Sequence, residues 1–285
     1  MSVRAAEGAR VSAAEASARQ VPRLLFYGRL VAAQLEMSTL TALQYRLGFW
    51  TEGLLGLLWS VIGIAPLFVA VDHLGTVEGW GRWELVVLTG CFTMLSGLFT
   101  ALLQPALRES MTHILKGTLD YVLLRPADGL VLCLTCAFQP WHLVEVLGGL
   151  VLVIAGLSLG EVEVTASGLL AGLATGAAGL MALYAFGVLM LCASFRALQL
   201  QALTHVMEAL MDFGRWPAQV FPPALRLLFT FVIPLLVMTS YPAEALLGRL
   251  SWGTVAELAA VSATLLVLAR LAWVRSVRGY TSASS

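Results

Sequence analysis

The chain has 285 residues, of which 59% are hydrophobic and only 12% are charged. A soluble domain of this length carries roughly twice that share of charged residues, so the composition indicates an integral membrane protein. The formal net charge is zero, so the chain has no overall positive charge that would attract nucleic acid. The basic residues are almost all arginines, and Lys116 is the only lysine.

The first residues predict a tail followed by a helix at the membrane surface. Residues 1–20 contain no apolar run, so they do not form a secretory signal, and we expect a flexible cytoplasmic tail. Residues 21–46 have a helical, partly amphipathic pattern, and Pro22 suits the first turn of a helix. This pattern predicts an interfacial elbow helix along the membrane before the first span.

Apolar runs long enough to cross a bilayer, at about twenty residues a crossing, follow along the chain. We expect transmembrane spans at residues 47–71, 83–103, 141–159, 166–192 and 252–273. Arginines cluster beyond one end of alternating spans, whereas the loops at 72–82 and 160–164 hold one basic residue between them. The positive-inside rule therefore predicts that both termini are cytoplasmic, with a tail at 275–285 and an even number of spans. The predicted fold class is all-α integral membrane, with six transmembrane helices.

The fourth span carries Gly168, Gly172 and Gly176 at intervals of four. Two overlapping GxxxG units form a smooth ridge on which another helix can pack closely. We interpret this stripe as a packing surface rather than a chemical site.

A charged island, residues 105–126, lies between the second and third spans and reads PALRESMTHILKGTLDYVLLRP. Within it, Leu107, Met111 and Ile114 share one helical face, and Gly117 is placed to cap the helix. The pattern predicts a short amphipathic helix at the membrane surface that receives force from a soluble partner. A solvated loop is the plainer alternative.

Residues 197–249 admit two topologies. In the first, residues 198–216 form the fifth span and residues 217–249 form a re-entrant hairpin. In the second, the helix at 198–216 lies on the cytoplasmic surface and residues 224–241 cross the membrane. An aspartate at the centre of a span costs about 2.5–3.5 kcal/mol, which favours the second topology. The prolines favour the first, because broken backbone is tolerated at membrane depth where protein shelters it; they are Pro222, Pro223, Pro234 and Pro242.

A polar stripe in the same region is the candidate translocation pathway. Its residues share one helical face at spacings of four, three and four; they are Gln201, His205, Glu208 and Asp212. If residues 198–216 cross the membrane, these side chains line a route. A salt-linked packing seam or a solvated surface is the alternative.

No motif supports catalysis by this chain. A phosphate-binding loop needs glycine followed by Lys-Ser or Lys-Thr, but Gly117 follows the only lysine. The four histidines are scattered along the chain, so we expect neither an enzyme site nor a metal site. Cys133 and Cys136 form a CxxC pair inside apolar sequence, which we interpret as buried thiols.

Three stretches resemble a known family. ILKGTLDYVLLRP resembles the cytoplasmic element I-x-x-G-x-L-D-x-x-L-x-R-P of bacterial ABC-transporter permeases of the type-two exporter class. The stretch WPAQVFPPALRLLFTFVIPLLVMTSYPAEALLGR is similar to the proline-rich segment of a branch of small six-span permeases, and the ending VRGYTSASS is similar to that branch's tail. The chain departs from the pattern at Thr118, where an arginine is common, and at Tyr121 after the Leu-Asp pair.

The resemblance implies that the chain pairs with a second six-span permease and with two ATPase subunits. Those subunits would bind ATP and Mg²⁺, while this chain would bind no cofactor and no nucleic acid. The resemblance also implies the re-entrant hairpin, so the first topology is preferred. Carried onto this sequence, it places Ile114, Gly117, Leu119, Asp120, Leu124, Arg125 and Pro126 in the docking element. The charged residues Arg108, Glu109 and Lys116 of the island complete the predicted coupling set.

The expected function is that of the permease subunit of an ATP-driven exporter in a bacterial cytoplasmic membrane. Its cargo would be a hydrophobic or amphipathic compound, such as a drug, natural product or lipid-like molecule. A different class of function is an ion- or proton-coupled secondary carrier that uses the polar stripe as its relay. A non-transporting membrane scaffold is a further alternative.

Overall fold

The computed structural model describes residues 23–44, 46–195 and 209–280. Within these ranges the chain is helical and forms no β-strand. The helices are α1 (Arg23–Gln44), α2 (Arg46–Leu74), α3 (Arg82–Leu98), α4 (Gln104–Leu115), α5 (Leu119–Leu123), α6 (Gly129–Thr135), α7 (Leu143–Leu159), α8 (Ala166–Ser194), α9 (Pro223–Leu227), α10 (Leu235–Met238), α11 (Ser240–Leu246) and α12 (Trp252–Arg278).

Several of these helices are long and apolar enough to cross a membrane. Among the described residues they are Arg82–Leu115, Pro140–Leu159, Ala166–Ser194 and Trp252–Arg278. A fifth is added if the bent pair Pro223–Val232 and Leu235–Leu246 counts as one span. The multi-pass, all-helical membrane fold is therefore confirmed. The six-span count stays a prediction, since the predicted span at 198–216 falls largely outside the described residues.

The charged island forms a helix, α4, as predicted, and its place at the membrane surface stays a prediction. What the sequence did not indicate is that α3 continues through a π-helical turn, Phe99–Leu103, directly into α4. Pro105 explains the turn, because a proline inside a helix lacks an N–H and its ring crowds the carbonyl four residues earlier. The wider π-helical turn accommodates this disruption without ending the helix. Leu107 and Met111 do share a face, as predicted, but that face packs into the protein core.

Helices α3 and α7 pack antiparallel with their backbones in contact. A Cβ atom added to Gly149 would lie 2.6 Å from the backbone nitrogen of Met94, and one added to Gly90 would lie 2.7 Å from that of Val153. Such approaches leave no room for a side chain, so glycine is required at these positions. Gly90 and Gly97 in α3, and Gly149 and Gly156 in α7, each recur after seven residues. The contact therefore follows one face of each helix over two turns.

The glycine stripe of α8 is a packing surface, with one correction. An added Cβ would lie 2.8 Å from Leu246 at Gly172 and 2.9 Å from Met238 at Gly179, but would meet nothing within 4 Å at Gly176. The contact face thus follows spacings of four and three rather than four alone. A constant spacing of four rotates around a helix that has 3.6 residues a turn, which carries Gly176 off the interface.

The partner of that face is the second arm of the segment predicted as a hairpin. The segment bends by 71° between Val232 and Leu235, where Pro234 caps α10. Residues 235–240 and 242–245 are buried, and they pack against α8. A broken span and a re-entrant loop both fit this geometry, so the hairpin stays a prediction.

Candidate coupling surface and translocation site

The coupling turn, residues 116–127, begins at a well-formed helix cap. Gly117 has a φ of +67°, and its N–H donates to the carbonyl of Ile114 over 3.2 Å. The N–H of Thr118 donates to the carbonyl of His113 over 2.9 Å, which completes a Schellman motif. The predicted cap at Gly117 is confirmed, and only glycine adopts this left-handed conformation without strain.

The coupling turn is anchored on one side and exposed at its tip. Leu119 is fully buried at the start of α5, whereas Tyr121 is 72% exposed and Leu124 is 81% exposed. Of the other predicted coupling residues, the exposed ones are Arg108, Glu109, Lys116, Arg125 and Pro126, and the half-buried ones are Ile114, Gly117 and Asp120. Exposed large apolar side chains among charges are typical of a surface that binds another protein.

Asp128 fastens the end of the coupling turn to two other helices. Its carboxylate accepts from both terminal nitrogens of Arg270 in α12, with 3.0 Å between Nη1 and Oδ1. The same carboxylate caps α6 by accepting from the N–H of Leu130 over 2.9 Å. The backbone N–H of Asp128 donates to the hydroxyl of Tyr27 in α1 over 3.1 Å. The hydrogen bonds from Arg270 hold the pKa of Asp128 below its usual value.

Sequence reasoning missed the pair of Asp128 and Arg270, although two signals pointed to it. Asp128 directly precedes the apolar run of α6, which is the position of a helix N-cap. Arg270 lies inside the predicted span 252–273, and an arginine in a span needs a partner. These signals mark each residue as one that needs a partner, but neither identifies the other.

The tail after α12 packs beside the coupling turn. The ring of Phe195 makes edge contacts with Trp273 and Tyr280, with centroid separations of 5.9 and 5.7 Å. Burial, followed by the negative charge of Asp120, raises the pKa of Tyr280. Asp128, directly after the coupling turn, thus contacts α1, and Tyr280 lies close enough to Asp120 for its charge to act on the phenol.

Of the predicted translocation stripe, Gln201, His205 and Glu208 lie outside the described residues. Asp212 is 69% exposed at its side chain and forms an ion pair with Arg215, with 3.2 Å between Oδ1 and Nη2. The stripe therefore stays a prediction, of which the structure describes only this end.

Arg215 projects between α2 and α3. Its guanidinium lies over the ring of Phe92 in α3, 5.0 Å from the ring centroid. A Cβ added to Gly63 in α2 would collide with Nη1, so the side chain occupies the notch that this glycine leaves. Phe92 is about 15 Å along α3 from Arg82, and Gly63 is about 16 Å along α2 from Leu74, at 1.5 Å a residue. If α2 and α3 cross the membrane from these ends, the charged pair of Asp212 and Arg215 lies near half the thickness of a bilayer core.

A second polar network, here called the hairpin-end network, lies where the loop after α2 leads into α3. The indole N–H of the buried Trp80 donates to Oε1 of Gln219 over 3.0 Å, and Nε2 of Gln219 donates to Glu244 over 2.7 Å. Arg249 pairs with Glu84 and also lies over the ring of Trp80, 5.4 Å from its centroid. These contacts join the loop before α3 to both ends of the bent segment.

The described residues contain no group of three or more His, Cys, Asp or Glu that could hold a metal ion. Cys133 and Cys136 are free thiols, and Cys133 is buried, as predicted, while Cys136 is half-buried. Cys136 donates to the carbonyl of Cys133 over 3.1 Å, which is a contact within one helix turn.

Comparison with known proteins identifies the family. No curated protein sequence and no solved structure matches the chain. The model of the ABC-2 family transporter protein domain matches residues 57–284, which include the coupling turn, the bent segment and the tail. The chain therefore belongs to the ABC-2 family, as a transmembrane permease.

Proposed function

We propose that the chain is the permease subunit of an ATP-driven exporter in a bacterial cytoplasmic membrane. It pairs with a second six-span permease and with two ATPase subunits, which bind ATP and Mg²⁺. The coupling turn and both termini face the cytoplasm. The observation that carries this proposal is the tip of the coupling turn, where Tyr121 and Leu124 are exposed on a firmly anchored base.

The continuity of α3 with α4 supports a mechanism of force transmission. A push on the coupling turn acts on the end of one helical rod, Arg82–Leu115, which is about 50 Å long at 1.5 Å a residue. The ion pair of Asp128 with Arg270 passes the same displacement to α12. ATP binding closes the ATPases, the rods tilt, and the cavity between the two permeases opens alternately on each side. This gives the two-state element that coupling between sites requires.

Asp212 and Arg215 support an amphipathic cargo. A charged pair at this depth is tolerated where it faces protein or a water-filled cavity. Arg215 lies between α2 and α3 while Asp212 beside it is exposed, so the pathway would offer both charged and apolar contacts. A hydrophobic or amphipathic drug, natural product or lipid-like compound fits such a lining.

The test of this proposal is the composition and activity of the purified assembly. Tagged chain is extracted from native membranes in mild detergent, and its partners and ATP hydrolysis are measured. We expect P-loop ATPase subunits and a second permease chain. The double variant Tyr121→Ser/Leu124→Ser should lose ATPase subunits while it keeps the second permease. Val164→Ser, which removes an exposed apolar side chain from the opposite end of the bundle, is the matched control.

An ion-coupled secondary carrier is the second candidate, because Asp212 lies at mid-membrane depth. A carrier works alone, so the two proposals differ in one measurement. Purified chain, reconstituted without a companion, would accumulate cargo on an ion gradient if it were a carrier. It would show no uphill transport if it were an ABC permease.

A further inference from the structure

Two adjoining cavities lie between α1 and the coupling turn. Their volumes are about 400 and 390 Å³, and both are lined by Gln34, Arg125, Leu132 and Cys136. Each volume falls within the range of about 300–1,000 Å³ that is usual for small-molecule sites. Since they share these residues, the cavities form one continuous groove with two chambers.

The first chamber, here called the polar chamber, contains polar side chains and charges of both signs on a lining that is otherwise apolar. Glu109 lies 3.6 Å from Nε2 of His113, whose Nδ1 is 2.8 Å from the hydroxyl of Thr118. Arg125 completes the lining, and none of the ion pairs between described residues involves its guanidinium. Among the described residues, the chamber thus offers one cation without an ion pair and one carboxylate that lies 3.6 Å from a histidine nitrogen, beyond hydrogen-bond distance.

The second chamber is apolar and is formed by one face of α1. Its lining includes Phe26, Leu30, Ala33 and Met37, which recur at helical spacing. Arg125 lies where this chamber meets the polar one. A ligand that fills the groove must therefore carry a polar head beside Arg125 and an apolar chain along α1.

The groove is built before any ligand binds, because α1 is fixed at two points on the same side. Tyr27 accepts from the backbone N–H of Asp128, and Gln34 accepts from the hydroxyl of Thr135. Other apolar side chains of α1, Leu25 and Leu40 among them, are exposed. An amphipathic helix with an exposed apolar face lies in the plane of a membrane interface. The groove therefore opens at the level of lipid headgroups.

We propose that this groove binds one phospholipid with a zwitterionic headgroup that carries a primary ammonium, as in phosphatidylethanolamine. Its phosphate contacts Arg125, its ammonium donates to Glu109, and one acyl chain lies along Phe26, Leu30 and Met37. Charge complementarity favours this class of lipid. Glu109 would repel a headgroup that carries only negative charge, and a quaternary ammonium has no N–H to donate to the Glu109 carboxylate. The inference does not depend on the cargo or on the direction of transport.

Lipid titration of the purified full-length chain, followed by native mass spectrometry, tests this proposal. Phosphatidylethanolamine, phosphatidylglycerol and phosphatidylcholine with identical acyl chains are compared. We expect one phosphatidylethanolamine to bind about tenfold more tightly than either of the others, the effect of one charge-assisted hydrogen bond. Arg125→Gln and Ala33→Trp, which alter the polar and apolar chambers, should each weaken binding by about the same factor. Arg29→Gln removes a positive charge from α1 outside the groove and should leave binding unchanged.

Equal binding of the three lipids would overturn the proposal, because it indicates a non-selective lipid shell. Wild-type affinity in both Arg125→Gln and Ala33→Trp would overturn it as well. Should either variant fail to fold, cross-linking of the wild-type chain gives an independent result. A phosphatidylethanolamine with a photoreactive acyl chain should label a peptide that contains residues 26–37, and labelling confined to other segments would contradict the assignment.

Discussion

The backbone contact between α3 and α7 predicts opposite effects for one substitution at two glycines. We expect Gly149→Ala to destabilise the protein and Gly176→Ala to stabilise it. Both positions lie inside long apolar helices, so the intrinsic helix preference changes equally, by about 1 kcal/mol in favour of alanine. The two sites differ in what the new methyl group meets.

The magnitude follows from the distances at Gly149. A Cβ there would lie 2.6 Å from the backbone nitrogen of Met94, and ordinary contact begins at 3.4 Å. Backbone cannot rotate away as a side chain can, so α3 and α7 must separate by about 0.8 Å, and such a gap forfeits a quarter to a half of each contact energy. Overpacking of this kind costs about 1–3 kcal/mol, which exceeds the gain in helix preference. Because the gain in helix preference is the same in both variants, they should differ by the overpacking cost alone, about 1–3 kcal/mol in the free energy of unfolding.

The measurement is reversible unfolding in mixed micelles, titrated with a denaturing detergent and followed by tryptophan fluorescence. Both variants and the wild type are compared at one detergent composition, so that the micelle contributes equally. If Gly149→Ala were as stable as Gly176→Ala, the close approach of α3 and α7 would be refuted.

Three further predictions concern the ends of the bundle. Asp128→Asn keeps the helix cap but removes the ion pair to Arg270, and should cost about 1 kcal/mol in unfolding titrations because the pair is partly exposed. Since the pKa of Asp128 is lowered by folding, the same stability is complete above about pH 4 and is lost as the pH falls through the folded pKa. Gly117→Ala forces a left-handed alanine at a cost of about 1–2 kcal/mol. It should let ATP hydrolysis continue while transport falls in a reconstituted assembly; cargo-stimulated ATPase activity at the wild-type level would count against that role. Arg249→Gln should weaken the bundle by no more than about 1 kcal/mol through the lost pair with Glu84, and this difference should vanish in high salt.

Local patterns in the sequence predicted much of the fold, while contacts between distant segments could not be predicted in the same way. The cap at Gly117 and the shared face of Leu107 and Met111 depend on neighbours within two helical turns, and both are present. The continuity of α4 with α3 was not predicted, because hydropathy marks where a chain leaves the membrane, not where a helix ends. Pro105 lies just after the predicted second span, where a π-helical turn accommodates it without ending the helix.

The long-range contacts needed information that a single sequence carries only weakly. The ion pair of Asp128 with Arg270 joins residues 142 positions apart. Each residue was unusual in its own segment, but nothing local indicated that they meet. Gly176 was predicted to pack against another helix because its spacing fits the GxxxG motif. A Cβ atom added there would meet nothing within 4 Å, so this local pattern predicted a contact that is not made. The predicted stripe of Gln201, His205 and Glu208 lies outside the described residues and stays a prediction.

The contacts of the hairpin-end network determine part of the free energy needed for the cavity to change the side on which it is open, as proposed above. Tilting the rod Arg82–Leu115 moves Glu84 and the adjacent loop relative to the bent segment, so the contacts of Trp80 with Gln219, of Gln219 with Glu244 and of Arg249 with Glu84 must separate. One neutral hydrogen bond, one to a carboxylate and one partly exposed ion pair together contribute about 3–4 kcal/mol. Shifting a two-state equilibrium from 1:99 to 99:1 takes about 5.5 kcal/mol. The network is therefore strong enough to favour a closed hairpin end at rest, and weak enough to open without unfolding the bent segment.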